Sequence, residues 1–146
     1  MAILAGEIVT AGRLNRMQPT TYAARATGTL AVTSTVTDVA GATVTFDTVA
    51  ANAIYTVHAT FDIGQIATTT NDCFGRLSVD GVLSSELAIY GGQVSSDRAT
   101  VGQIWRGTLA SSGSHTIKLQ ASTTSINQFQ VFITHTGLIV TIYEVV

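Results

Sequence analysis

Between Ala53 and Ile63 the chain alternates: Ala53, Tyr55, Val57, Ala59, Phe61 and Ile63 are apolar or aromatic, while Thr56, His58, Thr60 and Asp62 are polar. A period of two is the pattern of a β-strand with one buried face. A helix, with 3.6 residues per turn, would scatter these side chains around its whole circumference. The run therefore commits this stretch to a sheet with a dry side and an outer side.

Similar runs recur along the chain. Thr29–Val36 and Ala42–Phe46 are Thr- and Val-rich and separated by an expected turn at Gly41. After a Thr-rich loop over 64–71, Phe74–Val79 leads into Asp80-Gly81, a strong type I′ hairpin signal, and Val82–Tyr90 returns until Gly91-Gly92 breaks it. Ala99–Leu109 places Val101, Trp105 and Leu109 on one face; Ser111–Ser114 turns, and His115–Ala121 runs back. Phe129, Val131 and Ile133 begin another strand, Thr136-Gly137 reads as a turn, and Leu138–Val145 ends the series. About nine strands spaced at roughly 8–14 residues, with no helical pattern among them, predict an all-β antiparallel sandwich over 28–146.

Residues 1–27 read differently, as an N-terminal arm. Thr10 is a good N-cap for a short helix over about 10–17, and Val9 and Leu14 are spaced as a hydrophobic staple. Pro19 forces Gln18 out of helical geometry and ends the element. Leu14 and Met17 share one face. Two turns are unstable alone in water, so this helix is expected to pack either on its own domain or on another subunit.

Composition narrows the function. Charged residues are 11% of the chain, where soluble domains average about 25%. Thr supplies 24 positions and Ser 11, while Lys118 is the only lysine. A net charge of −2 leaves no basic field for gripping phosphates, so nucleic-acid binding is not expected. No apolar run approaches the ~18–20 residues that cross a bilayer. The opening MAILAGEIVTAGR lacks a basic n-region, so no signal peptide is read and synthesis in a cytoplasm is expected. The lone Cys73 forms no intrachain disulfide and reads as a small buried hydrophobe.

Several outward positions are apolar where a solvated strand would carry charge: Ile54, Ile104, and Ile89 or Tyr90; His58, on the outer face of its strand, reads as solvated or interfacial. Strand edges also lack the lysines and inward charges that ordinarily block edge-to-edge pairing. Burial in a homo-oligomer resolves both, so Ile54, His58, Tyr90 and Ile104 are candidate subunit-interface residues.

Catalytic signals are absent from the pattern. No Gly-x-Ser-x-Gly elbow and no glycine-rich turn opening a helix occur. His58, His115 and His135 lie far apart, and none has a second ligand at useful spacing, so no metal or cofactor is expected. Asp72, Asp80 and Asp97 sit beside turns, where Asp commonly bonds local backbone, and Asp47 and Asp62 could meet across strands. No enzyme is expected. A sugar site could be built from Trp105, Tyr90 and Gln93, although the alternation of Trp105 with Val101 and Leu109 favours a core position.

The segment Leu4-Ala5-Gly6-Glu7-Ile8-Val9-Thr10-Ala11-Gly12-Arg13-Leu14-Asn15 resembles the start of many tailed-bacteriophage virion proteins. The body, through Tyr55–Phe61, Leu77–Gly81, Arg106–Leu109 and Gly113–Leu119, resembles the C1q/TNF-like jelly rolls of phage structural proteins. That resemblance implies a homotrimeric jelly roll in a virion: a capsid decoration protein, head fibre or minor tail protein. It also implies an arm that contacts the major capsid protein or other virion subunits, with Ile3, Leu4, Ile8, Val9, Leu14, Asn15 and Met17 as the anchoring residues. No long stalk precedes the body, which departs from fibre proteins and favours a compact capsid decoration protein. The alternative implied role is a tail-associated or adhesin-like module recognising a host glycan.

Overall fold

The computed structural model describes residues 10–68, 70–124 and 128–144. Ten strand segments form two antiparallel sheets. Sheet one runs β1 (Thr20–Arg25), β10 (Phe129–Tyr143), β4 (Ala53–Gln65), β8 (Arg98–Leu109), with β2 (Leu30–Val32) also paired to β10. Sheet two runs β3 (Thr37–Thr48), β9 (Gly113–Thr123), β5 (Asp72–Val79), and then β6 (Val82–Leu83) and β7 (Ala88–Gly91), both paired to β5. The expected all-β antiparallel sandwich is present.

The core lies where the alternation places it. Ala53, Val57, Ala59, Phe61 and Ile63 of β4 are buried, facing an opposite sheet whose Val44, Phe46, Leu77, Ile117 and Leu119 are also buried. Phe61 meets the Trp105 ring edge-on at 6.4 Å and reaches sheet two above Gly75, where an added Cβ would lie 2.7 Å from the Phe61 ring. Each large side chain fully removed from water contributes about 1.5–3 kcal/mol. The Asp80-Gly81 turn has φ of 51° and 84°, the pair of positive values a type I′ hairpin requires.

Several boundaries differ from the sequence reading. Residues 20–25, read as part of the arm, are a strand of the body: β1 pairs with β10 from Thr20↔Ile142 to Arg25↔Gly137, and Tyr22 stacks on Phe46 at 5.2 Å. Gly41 is not a turn. β3 passes through it as a bulge between Asp38 and Thr43, with Gly41 at φ 81°. Thr136-Gly137 is likewise a bulge inside one long strand. The register slips between Phe132 and Gly137, and the Thr136 hydroxyl donates to Phe132 O at 2.6 Å and accepts the Asp62 N–H at 2.9 Å. Of the span 29–36, only Leu30–Val32 pairs as a strand.

Helix α1 (Ala11–Met17) forms where expected. The Thr10 hydroxyl accepts the Arg13 N–H at 3.3 Å, and Gln18 is extended. Leu14 and Met17 stay 52% and 47% exposed, so this short helix keeps its apolar face open.

Candidate functional site

The strand register builds a continuous surface across the outside of sheet one. Ala23 of β1 pairs with Ile139 of β10, Ile139 with His58 of β4, and His58 with Ile104 of β8. These four residues therefore form one row perpendicular to the strands. Ile139 and Ile104 flank His58 and are 50% and 59% exposed. On one side lies the row Thr21, Thr141, Thr56 and Arg106; on the other lie Arg25, Gly137, Thr60 and Gly102. Beyond the threonine row, Tyr143 stands opposite Ile54, which stands opposite Thr108.

The bulge in β10 turns part of this face into an open groove of about 1060 Å³. Glycines at 102 and 137 keep its floor low, and the Thr60 hydroxyl donates to His135 O at 2.6 Å, fixing the bulged segment against β4. Among the described lining residues Arg25, His58 and His135 are the titratable groups, and none is a carboxylate. The nearest acid on the face, Asp62, is 1% exposed and closed onto Arg98 by two 2.7 Å bonds. The Arg98 guanidinium that bonds Asp62 also lies over the Phe132 ring at 4.0 Å and holds the Asp62 carboxyl below its ordinary pKa. The alternation had placed Asp62 on the solvated face; the ion pair explains its burial. Asp47 lies on β3 of the other sheet, so the two carboxylates do not meet.

Of the candidate interface residues, Ile54, His58 and Ile104 lie together on this face. Tyr90 does not. Its ring is buried and meets Phe129 edge-on at 6.1 Å, so the outward residue of that pair is Ile89, 55% exposed on β7. The register of β7 against β5 puts Tyr90 beside Cys73, facing the core. Sequence reasoning missed Ile139, Tyr143 and Arg25. The first two are legible by alternation against Leu138, Val140 and Ile142 once Leu138 is inward. Arg25 is hidden because β1 has the look of arm in sequence. Of the arm candidates, Leu14, Asn15 and Met17 are exposed on α1, and Ile3, Leu4, Ile8 and Val9 lie outside the described residues.

The suggested sugar platform is not assembled. Trp105 is 3% exposed, and its indole N–H donates to Glu86 O at 2.9 Å; with Tyr90 also buried, neither ring presents a face to solvent. Of the histidines, His58 and His135 line the groove on sheet one, and His115 lies apart on β9. His115 is buried, with Nδ1 2.7 Å from Asp80 Oδ2 and Nε2 3.2 Å from Ser111 O, tying the β5–β6 hairpin to the turn before β9. Among the described residues no group of three or more His, Cys, Asp or Glu is placed to hold a metal ion. Burial pushes the Cys73 thiol up to about 12, far from a reactive thiolate. Among the described residues no helix is long and apolar enough to cross a membrane.

A second exposed apolar patch lies along the β6–β7 edge of sheet two. Val82, Leu83 and Ile89 are 71%, 43% and 55% exposed, and Glu86 sits between the two segments, accepting the Ser84 hydroxyl at 2.5 Å. That bond is the largest of the effects holding the Glu86 carboxyl below its ordinary pKa.

No protein-family model matches this sequence, and no curated protein matches it. Solved structures do match in fold. Murine APRIL at pH 8.5 superposes with a TM-score of 0.55 at 12% identity, covering 87% of this chain and 100% of that one. A chain of infectious bursal disease virus, Gt strain, gives 0.56 at 10% identity over 86% of this chain and 33% of that one. Dimeric latent PorU from Porphyromonas gingivalis gives 0.52 at 9% identity over 85% of this chain. The chain spans only 12% of the length of PorU. Identities this low carry the fold alone, and that fold is an all-β sandwich of the TNF-like jelly-roll kind.

Proposed function

We propose that this protein is a non-enzymatic structural subunit of a virion: a homotrimeric capsid decoration protein that binds the head of a tailed bacteriophage through its N-terminal arm and stabilises the shell. The observation that carries the reading is the row Ala23–Ile139–His58–Ile104, a carboxylate-free, largely apolar band crossing four strands on the outside of sheet one. A monomer leaving this band and the β6–β7 patch in water would associate through them. Because the patches differ, contact between them in successive copies is head-to-tail, which closes into a ring when the rotation permits. Three is the copy number implied by the resemblance of the body to phage jelly rolls.

The arm supplies the link to the shell. Its resemblance to phage virion proteins runs through Leu4–Asn15, and the exposed Leu14 and Met17 leave α1 an apolar face to offer. Three arms on one rigid body act at high effective concentration, so weak single contacts add up to firm attachment. Deleting residues 1–19 leaves β1 whole, since that strand begins at Thr20. The truncated protein is expected to stay an oligomer and to lose shell binding in co-sedimentation with capsids; full decoration by the truncated form would overturn the arm's role.

A further inference from the structure

The two exposed patches carry opposite charge. The strands of sheet one bear Arg25, Arg98 and Arg106 against Asp62 alone, and the groove adds His58 and His135. The β6–β7 edge bears Glu86 among Val82, Leu83 and Ile89, with no basic residue in 77–97. On the first patch the isoleucines sit beside cations; on the second, the apolar residues flank a carboxylate.

We infer that the groove on sheet one receives the β6–β7 edge of a second copy, Glu86 lying against the cations around His58. The inference rests on the assembly proposed above and names the surfaces that meet.

The charged surroundings of His58 fix the sign of the charge that this face accepts. Across β10 it faces Ile139, with His135 in the bulge below; across β8 it faces Ile104, with Arg106 one row away; beyond β10, β1 contributes Ala23 and Arg25. On β4 itself the neighbours are Thr56 and Thr60, and the next carboxylate, Asp62, is taken by Arg98. Among the described residues no carboxylate lines the groove, so its cations gain an acid partner only when one arrives from outside. Glu86 suits that role because it is exposed among the apolar residues of the edge, where the Ser84 hydroxyl bonds its carboxylate. Each contact then gains an ion pair between Glu86 and a cation of the groove. At a rim exposed to water such a pair strengthens a contact about threefold.

The test uses the full chain. Native mass gives the oligomeric state, and subunit exchange between two tagged populations gives the strength of the contact. Glu86→Lys, which replaces attraction by repulsion, should exchange on the order of tenfold faster than wild type. Asp47→Lys, on the opposite edge of sheet two, is the control and should behave as wild type. The inference is overturned if Glu86→Lys exchanges as wild type does, or if Asp47→Lys loosens the oligomer and Glu86→Lys does not. A wild-type monomer would instead remove the assembly reading on which the inference stands.

Discussion

Gly75 and Phe61 illustrate how tightly the two sheets are fitted at single positions. Any β-carbon at position 75 would sit 2.7 Å from the Phe61 ring, well inside contact distance. Gly75→Ala is expected to cost about 1–3 kcal/mol of stability in chemical denaturation, because the ring must shift within a close-packed core. An unchanged midpoint would mean that the sheets part there without penalty. Acid stability belongs to this scale too. Hydrogen bonds from Arg98 to Asp62 and from Lys118 to Asp38 are the leading causes that hold these carboxyls below their ordinary pKa. The stability they contribute is therefore complete above the unfolded carboxylate pKa of ~3.9 and is lost as pH falls through the lowered folded values. Arg98→Ala should raise the pH of acid unfolding, read by circular dichroism during titration; an identical acid limb would show that Asp62 needs no partner.

Strands were legible wherever alternation ran unbroken, and that follows from the physics of a half-buried sheet. The faces of β4 over 53–63, the Asp80-Gly81 hairpin and the inward Trp105 were all readable, since each depends on local spacing. Bulges were not. Gly41 and Gly137 look like turns in sequence because a positive φ or a missing side chain suits both a turn and a bulge. What separates the two is the partner strand, and β3 continues against β9 just as β10 continues against β4. Register errors of this kind decide which residues face outward. Tyr90 reads as outward only under such an error, and β1 reads as arm because six residues with few β-branched side chains give a weak alternation. Half of the candidate surface, Ile54, His58 and Ile104, was visible on strands read correctly. Arg25 joins it only through pairing with Gly137, more than a hundred positions away, and Ile139 is placed beside His58 by the pairing of β10 with β4.

Over the whole molecule, the low charge content of 11% acquires a spatial meaning. Charges on sheet one are few and basic around an apolar row, acids gather on the other sheet and its edges, and threonines fill much of the exterior between them. Such a surface leaves little to repel another copy of itself. Assembly is therefore the property to measure, and native mass spectrometry of the full chain at neutral pH reads it directly. The proposed homotrimer gives a species at three times the 15.2 kDa of one chain. A species at 15.2 kDa that persists as concentration rises would contradict it.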